Sequence, residues 1–520
     1  MNLRVAAGLA AAAVVVAACG STVPPEVWDQ LAAEAGRGPE GEQTGGPAAP
    51  GVGPGDPVAA PDGSATDDPG TAGPGVAGPG AQPTTGTGTG GTGGTGGGTT
   101  GNTGNTKPNY PSDVGVTENS IKVGLLFSRS GPLGPLAFAP GAEGALAYFN
   151  WLNTQGGING RLVEVVQCDD AEDPERNRQC ANFFVNEEQV FALVATYTRA
   201  YAGASIVSNA GVPDVGGQPI GNEYTTWPTL FSIRGSEYPR TGEVGYQGNL
   251  WSQGLQFRWA KQNLGVTHVG VVFYDIPASE SFATFIQNAA PSEGLDVTGY
   301  RVNAAFPNFD SVASQMVADG VDGVWDTLDA TGNQKLCEAL ERKSVPMKGK
   351  LTTTQGMTRR VDQFPQYCKD VLHVWGESRP NSDTSHPEVK LFRDVIRQTY
   401  GQEYDDNLHQ WALEGWSAAK IFSDAAASLG ADLTREGLMD VLDGFERSND
   451  PSIPLSRLET VDGLLSPIHW RRIPYDKAGN NQRECLVISK WDQSIRNFRA
   501  VTPFPFCDRG LSWIAYEPAT

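Results

Sequence analysis

Between residues 121 and 375 short apolar runs alternate with stretches whose apolar side chains recur at helical spacing, and this alternation constrains the fold more than any other feature. Residues 121–127 (IKVGLLF) read as a strand running into a Ser/Gly/Pro turn at 128–135. The helix that follows places Ala142, Ala145, Leu146, Phe149 and Leu152 on one face, and Gly156-Gly157 stop it. A strand at 161–167 precedes the loop DDAEDPE, where Pro174 opens the next helix; a third strand at 190–195 and a helix at 200–210 complete the first unit. The pattern then repeats, with strands at 268–274, 295–302, 321–326, 349–353 and 371–375 and helices at 281–291, 309–318 and 334–343. Long helices at 387–400 and 408–429 follow, then a late strand at 486–491. Parallel strands need crossover helices, so the expected class is α/β, with two doubly wound parallel-sheet lobes. The late strand predicts that the chain passes between lobes more than once, which makes a multi-strand hinge. The expected lobes are 110–245 with about 378–480, and 246–377 with about 481–500, leaving 501–520 as a tail.

The first fifth of the chain cannot belong to either lobe. From Gly20 to Asn109 there are 26 Gly and 13 Pro among 90 residues, too few apolar groups to offset the entropy of ordering. Residues 19–109 are expected to form a disordered tether, and a flexible coil of about 80 residues reaches roughly 50 Å. Its Gly-rich run lacks the preceding strand and following helix of a phosphate-binding loop. Residues 1–18 read as an export signal: Arg4 precedes fourteen apolar residues, too short a run to span a bilayer comfortably. The run ends Val16-Ala17-Ala18-Cys19, which resembles the lipobox of bacterial lipoproteins. That resemblance implies a lipidated Cys19 holding the protein to the outer face of the cytoplasmic membrane, since two acyl chains anchor stably. The alternative is an ordinary cleaved signal with an incidental cysteine.

The formal net charge is -21, from 38 basic and 59 acidic residues, and clustered Lys and Arg for phosphate backbones are lacking. Nucleic acid is therefore excluded as the main partner, and anionic lipid headgroups are disfavoured. Cys168, Cys180, Cys337, Cys368, Cys485 and Cys507 form an even set in an exported chain, which argues for disulfides. Six cysteines allow 15 pairings; proximity favours Cys168 with Cys180, Cys337 with Cys368 and Cys485 with Cys507. No CxxC spacing and no nearby His support a metal site, so no metal or cofactor is expected. His268, His373, His386, His409 and His469 are scattered, and neither GxSxG nor HExxH occurs, so no catalytic residue is assigned and a lipoprotein hydrolase is the weakest reading.

A run of short motifs carries a family resemblance. Ser130-Gly131-Pro132-Leu133, Gly156-Gly157-Ile158-Asn159-Gly160-Arg161, Asp169-Asp170, Asp173-Pro174 and Ala210-Gly211-Val212-Pro213 occur in order, followed by an Asp322-centred strand and the helix around 411–419. Over roughly 117–500 the chain resembles the leucine/isoleucine/valine-binding proteins of ABC importers, which have the type I periplasmic-binding-protein fold. The resemblance implies a cleft beyond the carboxyl ends of the strands, where helix N-termini suit a carboxylate. It implies that a hydroxyl residue after the third strand holds the ligand, here Thr198 or Tyr197, and that Gly217 and Gln218 follow from the loop after the fourth strand. Thr198 is alternatively a helix N-cap.

The second lobe departs from that pattern. Where amino-acid-specific members place an acid before a glycine, this chain reads Thr354-Gln355-Gly356, and Gln355 has no charge to pair with an ammonium. Asp329 stands where an aromatic contact is expected, either to take over the ammonium or to start a helix. Arg129 and Ser130 would face the cleft from the first strand's exit loop, with a surface role as Arg129's alternative, and Tyr274 would be an aromatic wall or a core residue. The function implied is capture of a small polar ligand, such as an amino acid or amide, by hinge closure and delivery to an ABC-importer permease. A sensor of the same fold, signalling to a membrane partner, is the alternative.

Overall fold

The computed structural model describes residues 107–515 except 132–134, 136, 222, 236–248, 253, 444–459, 469, 471–482 and 510–511. The expected signal peptide, Cys19, nearly all of the tether and His469 lie outside the described residues. Strands β1 (Ser120–Phe127), β2 (Leu162–Asp169), β3 (Ala192–Val194), β4 (Asp214–Gly217) and β5 (Leu230–Ser232) form a parallel sheet in the order β2-β1-β3-β4-β5. Strand β6 (Asn249–Ser252) follows, and then β7 (His268–Tyr274), β8 (Asp296–Val302), β9 (Gly323–Asp326), β10 (Gly349–Thr353) and β11 (Leu372–Gly376) run parallel in a second sheet.

The last strands depart from the expected all-parallel second sheet. Strand β12 (Arg483–Asp492) pairs antiparallel with β11, and both β13 (Asn497–Ala500) and β14 (Phe506–Arg509) pair antiparallel with β12. Strand β15 (Ser512–Ala515) pairs with β6, so residues expected to form a tail contribute two strands. A hairpin needs only a short turn, whereas a parallel addition would need a crossover helix that the last residues do not supply.

The core around the first sheet draws on two distant parts of the chain. Phe138, Tyr148 and Phe149 of the first unit pack with Phe392, Trp411, Trp416 and Phe422 from the late helices Pro387–Tyr400 and Gln410–Leu429. A Cβ on Gly144 would lie 1.9 Å from the Ala412 carbonyl oxygen and one on Gly415 would lie 1.8 Å from that of Gly141, so glycines are required where the two helices meet. Between the sheets the chain runs as paired extended segments: the Arg379 N–H donates to the Leu464 carbonyl at 2.8 Å and the Ser466 N–H to the Glu377 carbonyl at 2.6 Å.

The disulfides join Cys168 to Cys180, Cys337 to Cys368 and Cys485 to Cys507, the pairings that proximity favours. Each links elements around a single sheet: β2 to the helix Pro174–Asn182, the helix Ala330–Lys343 to Gln366–Lys369, and β12 to β14.

Candidate binding cleft

A cavity of about 580 Å³ opens at the carboxyl ends of strands from both sheets. Glu172, Arg199, Gln218, Glu223 and Arg234 line it from the first sheet's loops, and Tyr274, Ser279, Thr327, Asp329 and Gln355 from the second's. Phe138, Ile220, Ile276, Phe282 and Trp411 supply an apolar wall. Such a surface, mainly hydrocarbon with a few placed polar groups, suits a small organic molecule.

Four of the expected contact residues, Gln218, Tyr274, Asp329 and Gln355, line this cavity. Asp329 is the N-cap of helix Ala330–Lys343: its carboxylate accepts the Thr331 and Gly332 N–H groups, each at 3.1 Å, and the Tyr274 hydroxyl at 2.8 Å. Burial and the adjacent Asp329 carboxylate push the Tyr274 phenol well above its ordinary value, so it remains a donor. The Gln355 carbonyl accepts from His409 Nε2 at 3.1 Å, and His409 Nδ1 accepts the Trp411 N–H at 3.1 Å, capping the helix Gln410–Leu429. Burial holds that imidazole down at about 4, so it stays neutral.

The other expected residues lie outside the lining. Arg129 rests over the Phe127 ring at 4.8 Å and pairs with Glu143 at 3.6 Å, and the Ser130 hydroxyl donates to Asp169. Tyr197 is fully buried, its ring 5.7 Å from that of Trp411. Ala195, at φ 51°, turns the chain so that Tyr197 bridges to Phe127 and enters the core; that turn makes a count along the strand unreliable here. Thr198 is buried and does not cap the following helix, whose N-cap is Gly203. Gly216 and Gly217 belong to β4 itself rather than to a loop after it. A Cβ on Gly217 would meet the Tyr224 hydroxyl at 1.7 Å and one on Gly216 would meet Ala418 Cβ at 2.3 Å, so both glycines serve packing.

Sequence reasoning missed Glu172, Arg199, Glu223 and Arg234. Arg234, next to the crossing, approaches Glu377 at 3.7 Å and donates to Thr354 Oγ1 at 3.3 Å, where the Trp411 indole also donates at 3.2 Å. Thr354 follows β10, so these bonds join the two sheets at the back of the cleft. Behind them Glu414 accepts the Ser378 hydroxyl at 2.8 Å, and burial raises its pKa against the opposing pull of Arg234. Arg199 and Glu172 approach at 3.6 Å. The available signal was polar residues two to six positions beyond strand ends, which is too common to single these out.

Two α/β sheets with a ligand-sized cleft between their strand ends and a crossing of extended segments behind it define a two-lobed binding protein. A family model described as periplasmic binding protein matches residues 120–466, and the chain belongs to that family. Solved structures agree in fold. A leucine-binding protein from Thermotoga maritima superposes with a TM-score of 0.56 at 14% identity, covering 74% of this chain and 98% of that one. The branched-chain amino acid transporter substrate-binding protein of Streptococcus pneumoniae, in complex with isoleucine, gives 0.55 at 15% identity over 76% of this chain and 100% of that one. A fatty acid ABC transporter substrate-binding protein from Thermomonospora curvata gives 0.55 at 16% identity over 79% and 95%.

Proposed function

We propose that the protein is an extracytoplasmic solute receptor that captures a small metabolite by hinge closure and presents it to an ABC-importer permease. The observation that carries this reading is the cavity of about 580 Å³ whose lining is divided between the two sheets, so that only a closed form makes every contact. Ligand then shifts the population toward closure by its differential affinity, and a change from 1:99 to 99:1 requires about 5.5 kcal/mol. A few charge-assisted hydrogen bonds at about 1.5–3 kcal/mol each are sufficient. The bodies that move are 110–245 with about 378–480 and 246–377 with the strands from β12 to β15, which takes in the residues expected to be a tail, and the disulfides stiffen each body without tying one to the other. The contacts expected from the sequence enter through Gln218, Tyr274, Asp329 and Gln355, with Arg234 joining them. A signal at 1–18, a lipidated Cys19 and the tether at 19–109 would hold the receptor on the outer face of the membrane.

The related structures carry names that refer to leucine, isoleucine and fatty acids, so the fold accommodates both zwitterions and simple acids. A thermal-shift screen across amino acids, small amides, short peptides, aromatic acids and polyamines tests the reading. A specific ligand at 100 times its dissociation constant adds about 2.7 kcal/mol of stability. Turnover of generic ester or peptide substrates, abolished by a serine-directed reagent, would overturn it in favour of a hydrolase.

A further inference from the structure

The charges around the cleft do not balance within the protein. Arg199 has Glu172 at 3.6 Å and Arg234 has Glu377 at 3.7 Å, so each guanidinium of the wall already faces a carboxylate. Asp329 is committed to two backbone N–H groups and the Tyr274 hydroxyl. Glu223 differs: its carboxylate has its own backbone N–H as a donor, but among the described residues no side chain donates to it and no cation pairs with it. Burial raises its pKa, as expected for a desolvated acid with no counter-charge.

A second group points the same way. Gln218, only 4% exposed and in the same lining, has a side-chain carbonyl with no hydrogen-bond partner. A buried unsatisfied acceptor costs about 1–3 kcal/mol, which a bound donor would recover. The two uncommitted groups are therefore a carboxylate and an amide acceptor, both after β4 on the first sheet, beside an apolar wall containing Phe138, Ile220 and Trp411.

Building on the receptor reading above, we propose that the ligand carries an ammonium group on a hydrocarbon body, with Glu223 receiving the ammonium and Gln218 accepting one of its N–H bonds. The carboxylate that the sequence pattern leads one to seek in the second lobe, where Gln355 stands, is supplied instead by the first. Nitrogen recognition then precedes closure, because both groups sit on one lobe, while Tyr274 and Gln355 complete the enclosure.

Isothermal titration of the whole chain with two matched series tests this inference. One series is 3-methylbutylamine, leucine, 4-methylpentanoate and 4-methylpentanamide; the other is 2-phenylethylamine, phenylalanine, 3-phenylpropanoate and 3-phenylpropanamide. In at least one series the ammonium-bearing members should bind at least tenfold tighter than the acid and the amide. Glu223→Gln should weaken the best of them by tenfold or more without lowering the melting temperature of the unliganded protein. An acid or amide that binds as tightly as the amines, no binding by any member, or an unaffected Glu223→Gln variant overturns the inference. Acid or amide binding accompanied by contraction of the particle would leave the receptor reading standing. The receptor reading fails instead when no compound in the broad metabolite screen stabilises the protein.

Discussion

Both sheets bury an aspartate close to the cleft, and they surround it differently. In the first, Asp214 opens β4 in the sheet interior and accepts the Tyr224 hydroxyl at 3.0 Å, with the Tyr201 and Thr196 hydroxyls beside it. Neutral donors offset only part of the cost of burial, and its carboxyl is pushed up to about 6. In the second, Asp326 ends β9 against Lys350 on β10, and both side chains are 0% exposed. Asn333 donates to Asp326 at 2.7 Å and accepts from Lys350, so the formal charges cancel inside a hydrogen-bonded set. Asp326 also receives the Leu328 N–H at 3.3 Å, which fixes the turn that presents Asp329 to the cleft. The first arrangement makes stability depend on pH; the second makes the geometry of the site depend on an ion pair.

The largest effect should come from breaking the matched pair. Lys350→Met leaves Asp326 buried without a cation, and urea unfolding followed by tryptophan fluorescence should show a loss of about 3–5 kcal/mol. Replacing Asp326 by Leu as well should restore most of it, because two apolar groups leave no charge unpaired. A single-variant loss below about 1 kcal/mol would mean that the pair is not what holds this core.

The unmatched acid predicts a gain. A carboxyl raised from 3.8 to about 6 disfavours the ionised fold by an amount on the order of 3 kcal/mol at pH 7.5. Its favourable contribution is complete below the unfolded value and disappears as pH rises through about 6. Asp214→Asn should therefore stabilise the protein by about 1–3 kcal/mol at pH 7.5 and have almost no effect below pH 4. Unfolding curves at several pH values check this, and a pH-independent difference would contradict it.

The smallest effect separates a capping role from a binding role. Asp329→Ala removes the N-cap of helix Ala330–Lys343 and should cost about 1 kcal/mol of stability. It should also weaken the best ligand, whereas Thr198→Ala, buried and outside the lining, should leave affinity unchanged.

These contrasts also mark what the sequence could convey. The helix Pro387–Tyr400 is legible to the residue because Pro387 opens it and Gly401 follows its end. The strand at 486–491 is legible as a strand, but apolar alternation carries no direction, so its antiparallel pairing with β11 could not be read. Tyr274 and Asp329 were reachable because one ends an evident strand and the other stands three residues beyond another. Glu223 and Arg234 were not, since each acquires meaning only from a cavity whose walls lie far apart along the chain. Tyr197 moved into the core through a single left-handed residue, Ala195, which no local pattern announces.

Small-angle scattering on the whole chain, and on a version beginning at residue 107, tests the central claim most directly. With a ligand proven by titration at saturation, the radius of gyration of the shorter form should fall as the two bodies close over the cavity. Identical scattering curves with and without that ligand would contradict the account.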